Sequence, residues 1–117
     1  MKIYIANPTG LCFGVKRAIS TLEDELNKTD RVYSLGSPIH NEQEIKRLNK
    51  LGLIVVNDPK DIPYGAVAFI RAHGVTPEIY NTIKQRSSFL VDGTCPFVKT
   101  AQERARTLSK EGYIVVI

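Results

Sequence analysis

Long apolar runs are missing from this chain. The longest, such as AVAFI (66–70) and YIVVI (113–117), are the length of a single strand and far short of a bilayer span. Tryptophan is absent, and cysteine and histidine occur only twice each in 117 residues. Two cysteines as far apart as Cys12 and Cys95 suit thiols or metal ligands better than a structural disulfide. The opening MKIYIANP has no basic start, apolar stretch and small-residue cleavage site, so it reads as a strand and not a signal peptide. The expected compartment is the cytoplasm. Basic residues are not gathered into a stripe with interleaved aromatics, which excludes nucleic acid as a partner. Neither G-x-G-x-x-G nor G-x-x-x-x-G-K-[ST] occurs, and the spacing from Cys12 to Arg17 is one residue short of the phosphatase-type loop. No C-x-x-C or H-x-x-x-H pair is present, so the signal for zinc is weak, and the close Cys–His pairs of a Rieske-type centre are missing too.

What is present is the composition of one soluble globular domain: 43% apolar, 24% charged, net charge +4. The excess basic residues, among them Lys16, Arg17, Lys46, Arg47, Arg104 and Arg106, fall beside acidic ones on predicted helices. They read as solvated helix faces with a mild preference for an anionic ligand.

Strand-like and helix-like patterns alternate along the chain. KIYIA (2–6) is a predicted strand, followed by a helix whose buried face is Val15, Ala18, Ile19, Leu22 and Leu26. RVYSL (31–35) is a strand. A helix over 42–51 follows, with Asn41 and Glu44 as a capping box and Gly52 at its end. LIVV (53–56) and AVAFI (66–70) are strands separated by a turn-rich connection. Thr76-Pro77 opens a helix to about Arg86, and SFLVD (88–92) is the next strand. The last helix, 97–111, is expected to bury Val98, Ala101, Ala105 and Leu108, and YIVVI to form a final strand. This order predicts an α/β fold, a parallel sheet with helices on both faces. The stop in an apolar strand suggests that a longer protein continues beyond Ile117.

In open parallel sheets, ligands bind beyond the carboxyl ends of the strands. Cys12, His40, His73 and Cys95 each follow a predicted strand and sit beside glycine or proline. Cys12 and Cys95 both lead into helices, whose N-terminal dipole favours thiolate over thiol. A metal site or a reactive thiol fits this pattern, and spacing alone places a shared Cys12/Cys95 metal site only slightly ahead. Gly10 and Gly14 around Cys12 suggest that something bulky approaches the backbone there.

ANPTGLCFGVKRAI (6–19), SPIHNEQEI (37–45), RAHGV (71–75) and VDGTCPFVKT (91–100) resemble, in order and spacing, the first third of the LytB family of 4-hydroxy-3-methylbut-2-enyl diphosphate reductases. The resemblance covers essentially the whole chain. It implies the first lobe of a three-lobed α/β iron–sulfur reductase, with that lobe's core at about 13–96 and the start of a second lobe at 97–117. It further implies a [4Fe–4S] cluster on three cysteines, of which Cys12 and Cys95 are two and the third lies outside the chain. His40 and His73 would donate to the substrate diphosphate. The acid/base residues are expected beyond Ile117, so that none lies in this chain. The reaction removes the substrate hydroxyl reductively, giving isopentenyl and dimethylallyl diphosphates, with ferredoxin or flavodoxin as electron donor. The isolated chain is expected to be inactive. Gly93 stands where the family usually has alanine, a change a turn accommodates. KIYIA and YIVVI are expected to lack their usual partners and to pair with one another or with a second copy of the chain. Two other readings remain: a thiol-redox protein using Cys12 with Cys95 as resolving thiol, and a non-catalytic anion-binding module.

Overall fold

Valine-, isoleucine- and phenylalanine-rich runs of four to six residues make four strands: β1 (Val32–Leu35), β2 (Leu53–Val56), β3 (Ala66–Ile70) and β4 (Ser87–Asp92). The structure is a computed structural model and describes residues 1–7 and 10–116. All the strand pairs are parallel, in the order β2-β1-β3-β4. Parallel neighbours need crossover helices. These are α2 (Glu42–Lys50), between β1 and β2, and α3 (Pro77–Arg86), between β3 and β4. Helix α1 (Phe13–Leu26) precedes the sheet and α4 (Pro96–Lys110) follows it.

Helices cover both faces. On one face α1 buries Ala18, Ile19, Leu22 and Leu26, and α2 buries Leu48, against Val32, Leu53, Phe69 and Val91. On the other, Ile83 of α3 and Ile62, which follows a 3₁₀ turn, close over Ala68 and Ile70. The boundaries follow local chemistry. The Asn41 side chain accepts the Glu44 N–H at 3.1 Å, while the Glu44 carboxylate turns to Arg47, so half of the expected capping box forms. Thr76 caps α3 with Pro77 at its first position, and Gly52, at φ +110°, ends α2.

Three expectations fail. KIYIA forms no strand, and Met1–Asn7 are exposed. Tyr113–Val116 of the predicted final strand are likewise unpaired, while Ile117 lies outside the described residues. Neither segment has a strand beside it, and an extended segment without a hydrogen-bonding neighbour gains nothing from β geometry. Helix α4 also buries no residue. Val98 packs partly against the core, but Ala101 and Leu108 are exposed, because α4 runs out past β4 with no sheet face beneath it. Among the described residues no helix is long and apolar enough to cross a membrane.

The burial contrast sets stabilities. Leu22→Ala, at a fully buried position, should cost about 2–5 kcal/mol in urea unfolding, through lost transfer energy and a cavity. Leu108→Ala on the open face of α4 should change stability by no more than about 0.5 kcal/mol. Equal costs would show that α4 is packed in solution.

Candidate functional site

The strand order reverses direction at β1 and β3. From β1 the chain moves outward through α2 to β2, then returns to the far side of β1 and moves outward again through α3 to β4. Crossovers on opposite faces leave a crevice beyond the carboxyl ends of β1 and β3, the switch point of such a sheet. His40 follows β1 and His73 follows β3. Their rings meet there at 6.4 Å between centroids, tilted by 50°, and both are exposed. Two imidazoles at that separation can both donate to one anion placed between them.

The loop carrying His40 is fixed from below. Gly36 N–H donates to Val56 O at 2.8 Å, the buried Ser34 hydroxyl to Gly36 O at 2.8 Å, and the Ser37 hydroxyl to Ile39 O at 2.7 Å. Pro38 and Ile39 are buried, so the chain emerges at His40. A hollow of about 580 Å³ lies beside it, lined by Ser37, Asn41, Lys46 and Asn49 among others. On the His73 side a groove of about 1020 Å³ runs between α3 and α4.

Cys95 is reached by prolonging the sheet. Beyond the last strand residues, Gly93 N–H still donates to Ile70 O at 2.8 Å and Cys95 N–H to Ala72 O at 2.9 Å. The turn between them is held by Asp92. One of its carboxylate oxygens accepts the Thr94 N–H at 3.0 Å and the Thr94 hydroxyl, and the other pairs with Lys99 at 2.6 Å. Burial pushes the Asp92 carboxyl up. The Lys99 ammonium and the Thr94 donors outweigh it and hold the group below the usual carboxylate range. Thr94 is buried against Gly74, where an added Cβ would lie 3.0 Å from the Thr94 methyl carbon, so the turns bearing His73 and Cys95 are packed together. Gly93 is a matter of room: a Cβ there would stand 2.5 Å from Ile70 O and 2.7 Å from the Phe69 ring. An alanine at this position has no space in this chain.

Cys12 and Cys95 occupy equivalent positions, the N-caps of α1 and α4, and neither thiol makes a capping bond. Cys12 is exposed, Cys95 is buried, and both are free thiols. The first turn of α1 abuts Cys95 so closely that a Cβ on Gly14 would lie 2.6 Å from Cys95 Sγ. The rings of Phe13 and Phe97 meet edge to face at 6.1 Å and tie the two helix starts together. Both cysteines thus sit at the N-terminal ends of adjoining helices. Since 2–6 is not a strand, Cys12 is brought in by α1 and not by a strand end, as the sequence pattern suggested. Soft thiolates without competing carboxylates are the donor set of an iron–sulfur centre. They fit such a group in kind but fall short in number: among the described residues no group of three or more Cys, His, Asp or Glu is placed to hold a metal. Asp92, Thr94 and Lys99 were not singled out from the sequence, although D-x-T ahead of a cysteine is the pattern of an Asx turn.

The chain is similar over its whole length to known proteins. The chain is 45% identical, over all of its 117 residues, to a 4-hydroxy-3-methylbut-2-enyl diphosphate reductase from Syntrophotalea carbinolica, and covers 42% of that protein. It is 40% identical over 116 residues to the reductase of the same name from Aquifex aeolicus, covering 98% of this chain and 40% of that one. Among solved structures, (E)-4-hydroxy-3-methyl-but-2-enyl diphosphate reductase, the terminal enzyme of the non-mevalonate pathway, superposes with a TM-score of 0.79 at 39% identity, over 96% of this chain and 40% of that one. The corresponding reductase from Plasmodium falciparum gives 0.84 at 35% identity, over 92% of this chain and 34% of that one. The chain therefore spans about two fifths of the length of the curated relatives it matches. The profile of the LytB protein family matches residues 3–117, and the chain belongs to that family.

Proposed function

We propose that this chain is the N-terminal share of a 4-hydroxy-3-methylbut-2-enyl diphosphate reductase, in which Cys12 and Cys95 hold two irons of a [4Fe–4S] cluster and His40 and His73 bind the substrate diphosphate. The close approach of the first turn of α1 to Cys95 Sγ supports the reading, because the helix start that follows Cys12 lies beside Cys95. The similarity of the whole chain to reductases of that name supports it. The third thiolate and the acid/base residues belong to parts of the enzyme outside this chain. On this reading 13–96 is the core of a first lobe, and 97–117, with α4 unburied, begins a second.

When bound, the cluster supplies electrons and an open iron for loss of the substrate hydroxyl. The chain's own work is binding and orientation. The starts of α1 and α4 present both sulfurs from helix N-caps, with neither thiol spent on a capping bond. The Asp92–Lys99 clamp and the prolonged β3–β4 pairing hold Cys95 against α1, and the packing of Thr94 on Gly74 ties its turn to the turn that bears His73. The two histidines donate to phosphate oxygens, and charge-assisted donation strengthens that grip when an imidazole is protonated. Ferredoxin or flavodoxin is the electron donor and the cytoplasm the compartment, where reduced thiols persist. The isolated chain is inactive, and exposed Ile3, Tyr4, Ile5, Ile114 and Val116 favour its self-association.

Two outcomes follow. In the complete enzyme, prepared anaerobically, iron and acid-labile sulfide should be present in matched amounts and fall away in Cys12→Ser. An iron-free protein with a Cys12–Cys95 disulfide would replace this reading with thiol redox chemistry. Gly14→Val should also deplete the cluster, since even the first added carbon enters the space of Cys95 Sγ. Unchanged iron content in Gly14→Val would show that the close approach is dispensable.

A further inference from the structure

We infer that Arg71 is a third cationic donor to the diphosphate, reaching it from the floor of the crevice between His40 and His73. The inference rests on the diphosphate reading of the histidine pair. Arg71 is the first residue past β3, two before His73, and the parallel register of β1 and β3 sets it alongside Gly36, the first residue past β1. Its guanidinium lies over Gly36: a Cβ there would be 3.1 Å from one terminal nitrogen and 3.4 Å from Cζ. Gly36 has φ +71° and no side chain, which leaves the space the guanidinium occupies.

Alternation fixes which side of the sheet this is. Along β3, Phe69 packs into the core beneath α1 and Ile70 into the opposite one, so Arg71, the next residue, turns toward the α1 side. Cys95 and Ile39, next to His40, belong to the core beneath α1 as well. The guanidinium is therefore on the side of the cysteines, below the loop that presents His40.

Arg71 is half-buried. Among the described residues it has no carboxylate within ion-pair distance and no side-chain hydrogen bond, whereas Arg47 and Arg86 are both engaged. A partly desolvated cation without a counter-ion is costly to keep. A planar fork of N–H donors facing a phosphate site recovers that cost when the anion arrives. His40 and His73 are exposed imidazoles with at most two N–H donors each, whereas the guanidinium offers five in a fixed fork.

The test is equilibrium binding of inorganic pyrophosphate to the complete, cluster-loaded enzyme, compared with Arg71→Gln and Arg71→Lys, at two salt concentrations. Arg71→Gln should weaken binding about tenfold or more and flatten its salt dependence, while iron content and melting temperature hold. Arg71→Lys should recover part of the affinity. Wild-type affinity in Arg71→Gln would overturn the inference, and would leave the histidine reading standing if His40→Asn and His73→Asn still weaken binding. No pyrophosphate binding by the wild type would overturn both. Weakened binding with an unchanged salt dependence and a lowered melting temperature would make Arg71 a brace for the Gly36 turn instead.

Discussion

The site depends on the reversal of strand order between β1 and β3. Because β1 hands the chain to α2 on one face and β3 hands it to α3 on the other, no crossover among the described residues closes the gap above their carboxyl ends. Residues that follow those two strands are side by side in space though far apart in sequence. His40 and His73 meet for this reason, and so do Gly36 and Arg71 one layer lower. No attraction between the histidines is required, since the register of Val32 with Val67 and Ser34 with Phe69 already determines where both loops begin.

Around that gap, close backbone approach does what bulky side chains cannot. Gly14 lets α1 come against Cys95, Gly93 lets β4 pass under Ile70 and the Phe69 ring, and Gly74 admits Thr94. Each is a place where a methyl group would push two packed segments apart. The same approaches carry backbone hydrogen bonds past the sheet, from Gly93 to Ile70 and from Cys95 to Ala72, so the cysteine turn inherits the rigidity of a central strand. Asp92 completes it. A carboxylate that must be partly buried to reach Thr94 stays charged because Lys99, one turn into α4, neutralises it.

Much of this was legible in the sequence where the cause is local. The strands LIVV and AVAFI, the caps Asn41 and Thr76, and the inward face of α1 follow from residue type and period, and all are seen. What was not legible depends on a partner. KIYIA and YIVVI have β composition, but strand formation needs a neighbour that these described residues do not supply. Helix α4 has an apolar stripe, yet burial of Ala101 and Leu108 requires a surface opposite them. Side-chain placements at the site, such as Arg71 over Gly36, depend on strand order, and strand order is not written in hydrophobic period.

The cysteines show how these levels combine. A thiol in sequence is only a thiol, but both here cap helices without using their sulfur in the cap. Serine, threonine, aspartate or asparagine at such positions would satisfy an orphan N–H and stabilise the helix, typically by about 1 kcal/mol relative to alanine. Asn41 and Thr76 do so at the starts of α2 and α3 in this same chain. The two helices that begin with cysteine forgo that contribution, and they are the two whose N-termini converge. Local stability is given up at both cysteines, in the two helices whose first turns lie together, although Cys95 also packs in the core beneath α1.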